Sequence, residues 1–248
     1  NIKQAIIDTF LKMDELMFQK EGIAELKTIS KQCQEQDKIF FEKNNIVETE
    51  LDLYLKNLSI KEENIAFTRG CTACVVVIDN NMKKIYFANA GDSRVLLCKE
   101  GKAFRMSIDH KPELELEKNR IQKADGWVSE IGRINGNLNL SRTLGDLEYK
   151  NNKNLSPQEQ IITSYPDVIE DVMEDKNDFI VIGCDGIWDC IQDQDVCDII
   201  NGEDKYKINL ENILGYICNN IYAKKPFNEL KETDGYDNMS IILIQFKK

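Results

Sequence analysis

A chain of 248 residues, 42% hydrophobic and 30% charged, is long and apolar enough for one packed domain, read here as residues 1–248 without internal repeats. Forty-three acidic against 32 basic residues leave a formal net charge of -11, which excludes nucleic acid as a partner, because phosphate backbones require a basic field. No apolar run approaches the roughly 18 residues of a membrane span, and eight cysteines are too sparse for a disulfide scaffold.

In chain order, apolar residues at Ile2, Ala5, Ile6, Phe10, Met13, Leu16 and Met17 have helical spacing with one buried face. A second helix is expected from Ile23 to Phe41, and a loop or short helix over Asn44 to Thr68. The β-branched run Thr72 to Ile78 then opens a set of antiparallel strands that continues with Lys84 to Ala88 and Arg94 to Cys98. Asp79, Asn80 and Asn81 supply the first turn, and Gly91 with Asp92 the second. A helix from Pro112 to Lys123 follows, then short strands between Trp127 and Ser141. Further strands are expected at Gln160 to Thr163, Val168 to Val172 and Phe179 to Cys184. Helices fit Asp193 to Ile200 and Ile208 to Tyr222, and a last strand fits Met239 to Phe246. Consecutive strands with clustered helices, lacking βαβ alternation, define an α+β class.

Three segments deliver an Asp from an apolar strand into a glycine-containing turn: AlaAsnAlaGlyAspSerArg (Ala88 to Arg94), CysAspGlyIleTrpAsp (Cys184 to Asp189) and AspGlyTyrAspAsnMetSer (Asp234 to Ser240). Taken singly, each is ordinary turn chemistry. Together they offer carboxylates held by strand ends, the hard oxygen ligands that Mg²⁺ and Mn²⁺ prefer. Asp185 is the most pointed, since its backbone leaves the buried run before it and a carboxylate there needs a cation or several donors. Cys71 and Cys74 form a CxxC without a second pair or a histidine cluster, and read as strand residues and not as a zinc or redox site. Trp127 and Trp188 read as core or turn packing.

These segments occur with GlyCysThrAla (Gly70 to Ala73), SerIleAspHisLysPro (Ser107 to Pro112), GlyArgIleAsnGlyAsn (Gly132 to Asn137), LeuSerArgThrLeuGlyAsp (Leu140 to Asp146) and ProAspVal (Pro166 to Val168). In this order, over most of the length, the chain resembles the metal-dependent protein serine/threonine phosphatases of the protein phosphatase 2C family. The resemblance implies two central antiparallel β-sheets sandwiched by helices (αββα), and a flap over about 147–166 beside the substrate groove. It implies Asp185 and Asp237 as ligands of a two-metal centre, with Asp92 and Asp189 completing an outer site, and Mn²⁺ or Mg²⁺ as cofactor. The implied reaction is hydrolysis of phosphoserine and phosphothreonine in proteins by a metal-activated water, with phosphorylated proteins as partners and a cytoplasmic or nuclear address.

The family's opening strands, its AspGlyHisGly segment and its phosphate-gripping Arg fall before the helix at which this chain starts. The resemblance therefore names no catalytic Arg or His here, and it implies an exposed sheet edge for an N-terminal fragment or a partner chain to cover. His110, the one histidine, reads as structural. The alternative to an enzyme is a non-catalytic phosphatase-like binding or scaffold protein.

Overall fold

Helix α1 (Ile2–Phe18) starts where the side chain of Asn1 accepts the Lys3 N–H at 3.1 Å, satisfying one of the amides that a helix start leaves free. Its Ile6, Ile7 and Phe10 pack on Tyr86, Ala88, Ala90 and Val168, and α2 (Lys20–Lys43) follows. The computed structural model describes residues 1–43, 65–202, 210–221 and 237–246. The expectations for 44–64, for the ends of the Ile208 to Tyr222 helix and for Asp234 to Tyr236 fall wholly or partly outside these residues.

Among the described residues the strands form antiparallel sheets. One pairs β1 (Gly70–Cys71) with β6 (Leu144–Gly145); a second has the order β2 (Ala73–Asp79), β3 (Lys84–Ala90), β7 (Asp167–Val172). The third runs β5 (Lys102–Arg105), β4 (Arg94–Lys99), β8 (Asn177–Gly183), β9 (Ile241–Gln245). Side chains alternate along β4 as a two-residue period requires. Val95 and Leu97 join Ile85 and Phe87 of β3 and Ile180 of β8 in one cluster. Leu96 and Cys98 join a different cluster, with Val196, Cys197 and Ile200 of α5 (Asp193–Asn201) and Ile213 and Ile217 of α6 (Leu210–Ile221). The fold is mixed α+β, and none of its helices among the described residues is long and apolar enough to cross a membrane.

Asp79 forms the expected first turn by accepting the N–H groups of Asn81 and Met82 at 2.9 and 3.1 Å. Three other expectations are corrected. Only isolated bridges, Val128 with Ile134 and Ile134 with Leu138, occur between Trp127 and Ser141, because positive φ at Gly132, Asn135 and Gly136 turns the chain too often for a strand. Gln160 to Thr163 is a loop held by the Gln160 amide, which donates to the carbonyls of Asn152 and Leu155; only Thr163 forms a bridge, to Arg142. The helix expected from Pro112 starts later, as α3 (Glu115–Lys123), because Leu114 N–H first closes a turn onto the Lys111 carbonyl. Strand β5 escaped the sequence reading: it is only four residues long and mostly exposed, so no apolar run marks it.

Candidate active site

Sheet register brings the three carboxylate segments to one place. Arg94 at the start of β4 pairs with Gly183 at the end of β8, which pairs with Ile241 at the start of β9. Asp92, Asp185 and Asp237, each a few residues beyond those pairs, therefore emerge at the same end of the sheet. The turn before β4 depends on Gly91, whose φ is +123° and where a Cβ would stand 2.5 Å from Cγ2 of Thr72. After β8 the chain enters the short helix α4 (Asp185–Trp188), anchored by the Trp188 indole N–H donating to the Gly183 carbonyl at 2.7 Å. Asp189 closes that helix, its N–H bonded to the Asp185 carbonyl at 2.8 Å.

The electrostatics tie the carboxylates to each other. Burial, then the charges of Asp92 and Asp237, push the Asp185 pKa above its ordinary value, against the Gly186 N–H and Lys111. Lys111 forms an ion pair with Asp92. Burial disfavours the Lys111 ammonium, but the hydrogen bond and charge of Asp92, followed by Asp189 and Asp185, hold its pKa above the usual lysine value. The other carboxylates are engaged locally: Asp185 accepts the Gly186 N–H at 2.9 Å, and Asp237 the Asn238 N–H at 2.7 Å. Among the described residues no three His, Cys, Asp or Glu side chains stand close enough to share an ion.

A polar network braces this end of the sheet. Buried His110 accepts the Gly91 N–H at Nδ1, 3.1 Å away, while the His110 backbone N–H donates to the Gly91 carbonyl at 3.0 Å. With Nδ1 accepting, Nε2 carries the proton and donates to Asp167 at 3.1 Å, so both ring nitrogens are committed to structure. Arg142 donates to the other Asp167 oxygen at 2.9 Å, to the Tyr165 carbonyl at 3.0 Å and in a fork to Glu117. Arg120 and the Ser141 hydroxyl also contact Glu117, at 2.6 and 2.7 Å. The residues of the SerIleAspHis, LeuSerArg and ProAspVal segments thus meet as one internal scaffold.

That scaffold predicts a defined acid sensitivity. Burial would raise the Glu117 pKa, yet the bonds and charges of Arg142 and Arg120 bring it to about 2. Asp167 is drawn to about 2 by His110's hydrogen bond, against burial, with Arg142 assisting. Both values lie below the ordinary 4.5 and 3.8, so their stabilisation is complete above about pH 4.5 and is lost as the pH falls toward 2. Glu117 alone should contribute about 3 kcal/mol at neutral pH. Urea midpoints measured between pH 5 and 3 should fall with pH and do so less in Glu117→Gln; an unchanged midpoint over that range would refute the assignment.

A second buried pair joins α1 to the segment after β6. Asp14 accepts the Gly145 N–H at 2.8 Å and pairs with Lys150 at 2.6 Å, and Lys150 also reaches the Thr143 carbonyl at 2.6 Å. Beside it lies a mainly apolar cleft of about 810 Å³ lined by Leu11, Phe18, Leu155 and Pro157 among others, but by none of the four candidate metal ligands. The two cysteines of the CxxC are free thiols, and exposed Trp127 lies against the Gly136 turn.

The family profile described as "Protein phosphatase 2C" matches residues 2–225. The chain belongs to the protein phosphatase 2C family. "Probable protein phosphatase 2C 11" of Oryza sativa subsp. japonica is 45% identical over 181 residues, covering 73% of this chain and 48% of that protein. "Probable protein phosphatase 2C 3" of Paramecium tetraurelia is 39% identical over 246 residues, 99% of this chain and 71% of that one. Among solved structures, a phosphatase from a pathogenic strain of Toxoplasma gondii superposes with a TM-score of 0.57 at 30% identity, covering 66% of this chain and 48% of that one. The chain spans about half the length of the first curated relatives it matches.

Sequence reasoning named the four carboxylates as candidate ligands and read His110 as structural, but gave no role to Lys111, Glu117 or Arg120. Lys111 stood inside a quoted segment, and nothing in its spacing pointed to Asp92. Glu117 and Arg120 carried one signal, an acid and a base three residues apart on an expected helix, which is also the commonest pattern of a solvated helix face.

Proposed function

We propose that this protein phosphatase 2C chain belongs to an enzyme that hydrolyses phosphoserine and phosphothreonine in phosphorylated proteins. The supporting observation is the register that delivers Asp92, Asp185 and Asp237 to one sheet end, where Asp185 feels both neighbours. The donor set fits a hard divalent cation: all ligating groups are carboxylates, one is raised by burial and mutual repulsion, and the nearby Lys111 supplies a single positive charge. Asp185 and Asp237 would hold Mn²⁺ or Mg²⁺, with Asp92 and Asp189 at an outer position. Bound there, the ions would supply Lewis acidity that activates water and offsets phosphoryl charge.

The chain's own residues orient that site. His110 fixes the Gly91 turn and thereby Asp92, Arg142 and Asp167 hold His110, and Trp188 anchors the helix that presents Asp185 and Asp189. In this reading residues 1–248 form one domain of the family's αββα type, and 147–166 is the flap beside the groove where a phosphorylated segment lies.

Phosphate release from a phosphothreonine peptide tests the reading. Turnover should rise with added Mn²⁺ or Mg²⁺, disappear with a chelator, and be slower on the matching phosphotyrosine peptide. Peptide binding without metal-dependent release would instead support a non-catalytic binding protein.

A further inference from the structure

We propose that Lys111 is a resident counter-cation at Asp92, competing with a divalent ion for that carboxylate and setting how readily the outer metal position fills. The inference rests on the reading of Asp92 as a metal ligand given above. Its first support is geometric: the Lys111 ammonium sits directly on Asp92 Oδ2, and among the described residues it is the hydrogen-bond donor to that carboxylate.

The placement is imposed by the backbone and not by the pair itself. Gly91 and His110 exchange two hydrogen bonds on one side of the contact. On the same segment Arg94 grips Asp109 with two nitrogens, at 3.1 and 2.5 Å. Residues 109–111 are thus fixed against residues 91–94, which places the Lys111 backbone beside Asp92.

The two partners differ in freedom. The Asp92 side chain is 5% exposed and that of Lys111 is 32% exposed, on a flexible four-carbon stem. Lys111 can therefore swing outward while Asp92 stays in place. An ammonium and a divalent cation at contact distance from the same oxygen repel each other strongly under partly buried conditions, so the two occupancies exclude one another. The ammonium also leaves surplus negative charge, since Asp185 and Asp189 lie within its electrostatic reach. A divalent ion neutralises more of that charge, which is what makes the exchange favourable once the ion is abundant.

The test is a Mn²⁺ binding isotherm, read as free Mn²⁺ by electron paramagnetic resonance, for the wild-type chain and for Lys111→Met, Lys111→Gln, Asp92→Asn, Asp185→Asn and Asp92→Asn/Lys111→Met. Lys111→Gln keeps a neutral donor to Asp92 and guards against a folding defect in Lys111→Met, with circular dichroism confirming the fold of each. Both Lys111 variants should bind Mn²⁺ about tenfold more tightly at the Asp92-dependent site. The double variant should match Asp92→Asn alone. Unchanged or weaker binding in both folded Lys111 variants, with the Asp92→Asn loss intact, would overturn the competition while leaving the metal site standing. Mn²⁺ binding indifferent to both Asp92→Asn and Asp185→Asn would overturn the metal-site reading and this inference together.

Discussion

Arg142→Ala should lower folding stability by about 3–4 kcal/mol, a large share of the 5–15 kcal/mol that holds a typical domain. Arg142 is 4% exposed and its guanidinium joins Glu117, Asp167 and the Tyr165 carbonyl. Among the described residues, truncation leaves Glu117, itself 1% exposed, with only Arg120 as its ionic partner, and leaves Asp167 with only His110. The cost is that of stranding buried charge, so it exceeds what an exposed pair of the same geometry would show. Lysine cannot reproduce the planar fork, and Arg142→Lys should recover about half of the loss. Urea unfolding of the three proteins checks this. A loss below about 1 kcal/mol for Arg142→Ala would mean that the network is replaceable by water. Because Arg142 also depresses the Glu117 pKa, the Ala variant should show a flatter stability profile between pH 5 and 3.

The strands and helices with the strongest periodicity were legible in the sequence because burial alone writes those patterns. The β-branched run over Ala73–Asp79 and the apolar run ending at Gly183 are determined by the core they enter. The region between Trp127 and Ser141 was misread for a physical reason: short apolar stretches between turn residues suggested short strands, while Gly132, Asn135 and Gly136 adopt positive φ and fold it into successive turns. Propensity describes residues one at a time, and only tertiary context decided among turn types there.

The candidate site divides in the same way. Asp92 and Asp185 were recognisable because each follows an apolar strand, and Asp237 because it precedes one; the register then puts all three at one sheet end. Lys111 was invisible as a partner because its relation to Asp92 depends on two hydrogen bonds between Gly91 and His110, across 19 residues of chain. The Glu117 to Arg142 fork likewise joins a helix to a loop 25 residues away, and no local pattern encodes such a pairing.

The second large effect concerns the site itself. Asp185 is the carboxylate on which the charges of Asp92 and Asp237 converge, at the N-terminal end of a helix whose backbone is fixed by Trp188. Replacing it with Asn keeps the shape and the contact with the Gly186 N–H side of the turn changes only in charge. If Asp185 holds the cation as proposed, the lost charge should cost at least about 100-fold in metal-dependent turnover, because the electrostatic hold on the cation would be removed.

The most direct test is a Mn²⁺ titration of the wild-type chain and Asp185→Asn, reading phosphate released from a phosphothreonine peptide and Mn²⁺ bound in the same samples. Metal-dependent release that vanishes in the variant together with the bound Mn²⁺ is the predicted result. Equal release by the two proteins, or release by both with a chelator present, would contradict the account.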